Sequence, residues 1–337
     1  MILNKKIVAE EPGRVEVVED TLDESALQDN EILVEKKYSL VSAGTESACI
    51  TGKELWFSLP GTLGYSAVGE ITAAGDRAKK YQVGDIVYFQ GKHSAYEIID
   101  EKDVLLKVSD IEHLEYIPFL RMAAISSSAV RASEIEFGDF VLVVGQGLIG
   151  LMAMQLARLQ GARVLVSDTS AKRLALAKEL GADYTLNPAA DDMGAAISEI
   201  TKGTKVDTLI DATGSSKVIC DNLQHVKIGG EAILLGSPRA PYEANVTQIF
   251  QYIHQFRYRI DVKGAHESRY PKYHTPYVKH STQRTLEILL DFLRTGRFQV
   301  APMLTQLLPP QKAPEVYRHL AKGDEDYLGI VYDWTKD

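Results

Sequence analysis

The sequence predicts an α/β protein in two parts: a partly open, all-β barrel and a doubly wound parallel sheet covered by helices. Three observations predict this. Roughly the first 110 residues break into short runs rich in Val, Ile and Tyr, separated by turn residues, with no long helical run among them. From about Ile117 to Gly264 apolar strands alternate with helical segments, the rhythm of a parallel sheet buried on both faces. The 337 residues also give room for roughly two domains.

The elements follow in order. The N-terminal strand candidates are RVEVVED, EILVEKKYSLVS, SAVGEITAAG, DIVYFQ and YEIIDEKDVLLKV, with Gly75-Asp76 and Gly84-Asp85 as turn residues. In the second part strands are expected at Val141–Val144, Val164–Ser167, Tyr184–Leu186, Val206–Asp211, Ala232–Gly236 and Arg259–Val262. Leu148, Leu151, Met152, Gln155, Leu156 and Leu159 keep helical spacing and predict a helix over Leu148–Leu159. Ser170 is placed to cap the helix AKRLALAKEL, and Gly181 to end it. Beyond His266, residues 268–281 read as a loop crowded with Tyr, His and Pro. Gln283–Thr295 reads as an amphipathic helix on Leu286, Leu289, Leu290 and Leu293, and YLGIVYDW as a strand.

Composition narrows the function. With 45% apolar and 25% charged residues the chain can fill two cores, which excludes intrinsic disorder. The net charge of −9, from 37 basic and 46 acidic residues, gives no footprint for nucleic acid or an anionic membrane surface, so neither is expected as a partner. Cys49 and Cys220 cannot build a disulfide framework or a four-cysteine zinc site. The opening residues MILNKKIVAEEPGRV show no signal-peptide pattern. Phe140 to Ala157 is uncharged, but Gly145, Gln146, Gly147, Gly150 and Gln155 break it into strand, turn and helix. A cytoplasmic protein is expected.

The run Gly145-Gln146-Gly147-Leu148-Ile149-Gly150 follows a strand and opens a helix, and Asp168 ends the next strand 23 residues beyond Gly145. In that context a G-x-G-x-x-G reads as a dinucleotide site. Gly145 allows the tight turn, Gly147 lets the backbone approach a pyrophosphate, and Gly150 lets helix and strand pack closely. The helix N-terminus offers free N–H groups and partial positive charge to the phosphates. A carboxylate at Asp168 accepts from ribose hydroxyls and repels a 2′-phosphate, so NAD is expected over NADP. Arg173 is read as lying beside the adenine or on the surface.

VSAGTE, PGTLGYSAVGEI, GDIVYF, GKHSAYEI and GDFVLVVGQGLIGLMAMQLARLQGARV resemble, in order and over nearly the whole chain, the medium-chain dehydrogenase/reductase superfamily. The resemblance implies a GroES-like catalytic domain split around a Rossmann domain, here residues 1–118 with 267–337, and 119–266. It also implies where a catalytic zinc would be held in the alcohol and polyol dehydrogenase branch, and those donors are missing. Ala43-Gly44-Thr45-Glu46 stands for Cys-x-Thr/Ser-Asp, and Gly64-Tyr65-Ser66 for Gly-His-Glu. No Cys, Asp or Glu falls in obvious register near Leu120, and the four-cysteine structural zinc loop is absent. The chain therefore resembles a zinc-lacking branch, and no metal is expected.

Without a Lewis acid, charge developing on a carbonyl oxygen needs a hydrogen-bond donor or general acid. The resemblance offers Thr45 as the start of a proton relay; it also reads as a turn threonine capping a helix. Tyr65 stands in the place of a zinc-binding histidine and reads either as donor to the substrate oxygen or as a plug for the metal's space. His93 and His266 are further acid/base candidates, each with a plain structural alternative. Glu46 is placed to orient Tyr65, Arg121 or a substrate hydroxyl. Arg121, isolated in the apolar run FLRMAAI, reads as a buried ion pair, as a site for an anionic substrate group, or as an arginine reaching solvent. Thr213-Gly214 and Gly236-Ser237 end two strands on the ligand face of the sheet and are expected to touch the cofactor.

The leading expectation is a zinc-independent, NAD-dependent oxidoreductase acting on a small-molecule secondary alcohol or its ketone, of polyol or cyclic-alcohol type. The alternatives are an enone or quinone reductase and a catalytically inactive NAD-binding sensor. A homodimer is expected through the edge strand within Gly236–Gly264.

Overall fold

The computed structural model describes residues 1–336. Contacts divide them into two compact units, residues 1–121 with 303–336 and residues 122–302.

The first unit is built on strands. β1 (Ile2–Glu11) pairs antiparallel with β2 (Arg14–Leu22). β3 (Glu31–Leu40) leads to a short helix, α1 (Ala43–Ile50), and a two-residue strand, β4 (Gly61–Thr62), returns to β1. β5 (Ala67–Ala74), β6 (Ile86–Phe89), β7 (Tyr96–Asp100) and β8 (Val104–Lys107) complete this stretch. Each expected N-terminal strand is present, and YEIIDEKDVLLKV is two strands joined by a turn at Glu101–Asp103. β1 was not foreseen, and α1 only as the helix in the capping alternative for Thr45. α2 (Phe119–Ala132) then carries the chain into the second unit.

The second unit is a six-stranded parallel sheet. Its strands are β9 (Phe140–Val144), β10 (Arg163–Ser167), β11 (Tyr184–Leu186), β12 (Val206–Asp211), β13 (Val226–Leu234) and β14 (Asp261–Gly264). They lie in the order β11-β10-β9-β12-β13-β14, the doubly wound arrangement. All five residues of β9 are buried, as a central parallel strand requires. Between strands run α3 (Leu148–Leu159), α4 (Ala171–Glu179), α5 (Met193–Ile200), α6 (Ser216–Asn222) and α7 (Val246–His254), and α8 (Thr282–Arg294) follows the sheet. Ser170 caps α4 by accepting from the Arg173 N–H, as its position predicts.

Three expectations in this unit need correction. The fifth strand runs Val226–Leu234, beginning six residues before the expected 232–236. The sixth strand lies at 261–264 rather than 259–262, because Arg259 has φ +51°, a left-handed conformation that ends the turn after α7. Residues 267–302, expected with the catalytic part, belong to the second unit. The Arg131 guanidinium on α2 donates to Thr285 on α8, and Gln155 on α3 exchanges hydrogen bonds with the Gln299 backbone.

The C-terminal segment returns to the first unit as β15 (Leu304–Leu308), α9 (Ala313–Ala321) and β16 (Gly329–Asp333). β16 pairs antiparallel with β3, so the main sheet runs β15-β16-β3-β5-β6-β8, with β7 also on β3. One core of this unit unites Ile7, Val41, Cys49 and Leu63 with Val316, Tyr317, Tyr332 and Trp334 from the return.

Candidate active site

In the second unit the three glycines of the turn after β9 are required for different reasons. Gly145 has φ +87°, and a Cβ there would lie 2.7 Å from Thr213 Cγ2. A Cβ on Gly150 would lie 1.7 Å from the Gly145 carbonyl oxygen, so only glycine lets α3 start this close to the strand. Gly147 is the N-cap of α3, and a Cβ there meets nothing within 4 Å. Its fold does not demand glycine; a ligand approaching the backbone would. The N–H groups of Leu148, Ile149 and Gly150 in the first turn have no intrahelical acceptor.

Asp168, at the end of β10, is tied into that turn. One carboxylate oxygen accepts from the Gln146 N–H (2.6 Å), the other from the Ser170 N–H (2.8 Å). Each oxygen keeps a second lone pair for a further donor. A guanidinium nitrogen of Arg173 stands 3.9 Å from Asp168, and the Arg173 Nε is buried with no hydrogen-bond partner among the described residues. The Gln146 side-chain oxygen is likewise buried and without a partner. These orphaned atoms, the open space at Gly147 and the free carboxylate lone pairs fit a nicotinamide dinucleotide.

Across the sheet, Asp211 ends β12 and accepts from the Thr213 N–H (3.1 Å), the Thr213 hydroxyl (2.5 Å) and the Gly214 N–H (3.3 Å). Burial pushes the Asp211 carboxyl up, and these hydrogen bonds oppose it. Gly214 (φ +65°) and Gly236 are held backbone to backbone: a Cβ on Gly214 would lie 2.5 Å from the Ser237 carbonyl oxygen, and one on Gly236 2.1 Å from the Gly214 nitrogen. Ser237 is exposed.

The first unit brings Thr45, Glu46, Tyr65 and His93 into one network. Ser42, not Thr45, is the N-cap of α1, which corrects the capping alternative for Thr45; Thr45 lies inside the first turn. Glu46 is 1% exposed and reaches back to accept from the Ser42 N–H (2.7 Å), satisfying the backbone donor of the N-cap residue. Its other oxygen accepts from the Tyr317 hydroxyl and faces His93 Nε2 at 3.2 Å. His93 Nδ1 pairs with the Ser39 hydroxyl (2.8 Å), which also accepts from the Trp334 indole (2.9 Å). His93 is fully buried with both ring nitrogens engaged, so it anchors the network. His266 lies in the second unit, exposed, where its ring accepts from the Ser268 N–H in a local turn; the four first-unit residues do not include it.

Tyr65 donates to the Ser42 hydroxyl (2.5 Å), and the buried Arg121 guanidinium lies 5.5 Å from the Tyr65 ring centroid. Burial pushes the phenol up; the Ser42 and Thr45 hydroxyls and the Arg121 charge pull it back, and Glu46 pushes it up again. Sequence reasoning missed Ser42, Ser39, Tyr317, Tyr332 and Trp334. Nothing local marks them, since Tyr317 meets Glu46 across 271 residues.

A family model for zinc-binding dehydrogenases matches residues 149–275. An L-galactonate-5-dehydrogenase of Escherichia coli (strain K12) is 31% identical over 237 residues, spanning 62% of this chain and 69% of that protein. The chain belongs to the medium-chain, zinc-type alcohol dehydrogenase-like family. A zinc-type alcohol dehydrogenase-like protein of Haemophilus influenzae is 24% identical over 97% of both chains. Two solved structures share the fold at TM-score 0.82: a zinc-binding dehydrogenase from Sinorhizobium meliloti 1021 with NADP (22% identical, 99% and 100% of the chains), and a protein named as a short chain alcohol dehydrogenase from Escherichia coli CFT073 with NADH (18%, 98% and 99%). Like its relatives, this member of the medium-chain family is an oxidoreductase of dehydrogenase type.

The family's name implies zinc, and the residues present do not fit it. Ala43 has no donor atom, the Tyr65 phenol is committed to Ser42, and no group of three His, Cys, Asp or Glu side chains able to hold a metal ion occurs among the described residues. No helix among them is long and apolar enough to cross a membrane.

Proposed function

We propose that the chain is a zinc-independent, NAD-dependent dehydrogenase of a small secondary alcohol or its ketone, of the polyol or cyclic-alcohol kind, working in the cytoplasm. The observation that carries the cofactor choice is Asp168, whose carboxylate is fixed by the Gln146 and Ser170 N–H groups and still has lone pairs for two ribose hydroxyls. When bound, the cofactor supplies or accepts the hydride. The chain's task is to hold it and move a proton. The first turn of α3 would hold the pyrophosphate, and Thr213, Gly214, Gly236 and Ser237, at the ends of the neighbouring strands, would hold the nicotinamide side. Tyr65 delivers the proton to the substrate oxygen, with Thr45 beside it.

Two measurements test this. NADH should bind the unmodified protein more tightly than NADPH, and tighter NADPH binding overturns the cofactor reading. In a panel of polyols and cyclic ketones, Tyr65→Phe should lower turnover at least about tenfold with NADH affinity unchanged. Normal turnover would make Tyr65 a space filler.

The same reading includes a homodimer with no nucleic acid or membrane partner. β14 is the sheet's edge strand and exposes Val262, while Val246, Phe250, Ile253 and Phe256 are exposed in and just after α7. An apolar edge of this kind calls for cover. Light scattering should give twice the chain mass, and Phe250→Asp should halve it.

A further inference from the structure

Arg121 sits in the first turn of α2 among Phe119, Leu120, Met122 and Ala123, all buried, and is itself 6% exposed. Placing a guanidinium there is costly, and an aromatic face is one of the environments that repays it. Its planar group lies 5.5 Å from the centre of the Tyr65 ring, while the phenol oxygen points to Ser42. Thus the ring face meets a permanent positive charge and the oxygen meets hydroxyls. The charged groups acting on this phenol are Arg121 from α2 and Glu46 from α1, the latter held one layer away by Ser42, His93 and Tyr317.

We infer that Arg121 is the positioning residue for Tyr65, supplying the fixed positive charge that stabilises the phenolate as its proton leaves. The inference rests on the proton-donor reading of Tyr65. A cation attracts the ring of a neutral phenol weakly and a phenolate strongly, so its effect is larger after proton transfer than before. In ketone reduction the Tyr65 hydroxyl turns from Ser42 to the substrate oxygen, its O–H bond breaks and an O–H bond forms on that oxygen. The electron pair stays on the Tyr65 oxygen, the Ser42 and Thr45 hydroxyls turn their hydrogens toward it, and solvent later returns the proton. The hydride that reduces the carbonyl carbon comes from the reduced nicotinamide. In alcohol oxidation the phenolate takes the proton. Arginine suits this place because it stays charged when buried and lies flat on a ring.

The test follows the phenol itself, so it needs no substrate. Protein labelled with 13Cζ-tyrosine is titrated, and the Tyr65 resonance is identified by its absence in Tyr65→Phe. Arg121→Met should move the Tyr65 midpoint up by about one unit or more. Arg121→Lys, which keeps the charge, should recover most of that shift. Arg121→Gln gives the same reading should the Met variant not fold. An unchanged midpoint in a folded variant overturns the inference. With a confirmed alcohol, the alkaline limb of kcat should shift up by the same amount and NADH affinity should hold. A variant that only raises KM for anionic substrates, with no shift, would make Arg121 a substrate clamp and overturn it too. Normal turnover by Tyr65→Phe would instead refute the proton-donor reading, leaving the titration to report separately whether Arg121 sets the phenol's acidity.

Discussion

The two units reach a site by different means. The second builds it from backbone: a turn of three glycines, the free N–H groups of α3 and a carboxylate at a strand end, all within 24 residues of one another. The first builds it from side chains brought together across the chain, Ser42, Glu46, Tyr65, His93 and Arg121 with Tyr317 from the return. A backbone site depends on what is absent, since a single Cβ ruins it. A side-chain site depends on every member being present.

That contrast can be broken most sharply at Gly150. Gly150→Val drives a side chain into the Gly145 carbonyl and should cost at least about 100-fold in NADH affinity, on the order of 3 kcal/mol by titration calorimetry. In the first unit, Glu46→Gln turns one acceptor into a donor facing the Ser42 N–H or the Tyr317 hydroxyl. Urea unfolding should show a loss of about 2–3 kcal/mol, while NADH affinity stays within about twofold. A large fall in NADH affinity would mean that the units are not independent in this sense. Gly147→Ala sharpens the comparison from the other side. Because its Cβ meets only open space, Tm should hold while NADH binding weakens about tenfold; unchanged binding would remove Gly147 from the pyrophosphate site. Asp168→Ser should narrow the gap between NADH and NADPH, seen in paired titrations.

The smallest effect is in pH. Burial holds the Tyr317 and Tyr332 phenols well above their ordinary value, so the folded state keeps both protons where the unfolded chain releases them. Stability is therefore full below about pH 10 and falls above it, by up to about 1.4 kcal/mol per pH unit for each phenol. Unfolding curves at rising pH should show this slope, and Tyr317→Phe should remove the share that this phenol contributes.

How much could be read from the chain follows the same division. The helix Leu148–Leu159 and the strands Tyr184–Leu186 and Val206–Asp211 lie where their own residues place them, because spacing and flanking turns are local. The glycine turn and Asp168 were legible for that reason. α7 was not, because no residue of it is fully buried and only Ile249 and Tyr252 rest, half-buried, on the core. The relations of Glu46 to Tyr317, and of β3 to β16, are set by the folded chain alone. Arg121 was visible as an oddity in an apolar helix, but its neighbour Tyr65 stands 56 residues earlier.

The pairing of β16 with β3 has a consequence for synthesis. The second unit is continuous and can fold as soon as it has left the ribosome. The first unit cannot close its sheet or satisfy Glu46 until residues 303–333 emerge, after the whole of the second has been made. At roughly 5–20 residues per second that is a wait of about 10–40 s with the Tyr38–Leu40 end of β3 unpaired on the side where β7 covers only Glu31–Glu35. During this interval the N-terminal segment presents an unpaired strand end to any other chain nearby, so the time of greatest aggregation risk falls before the protein is complete.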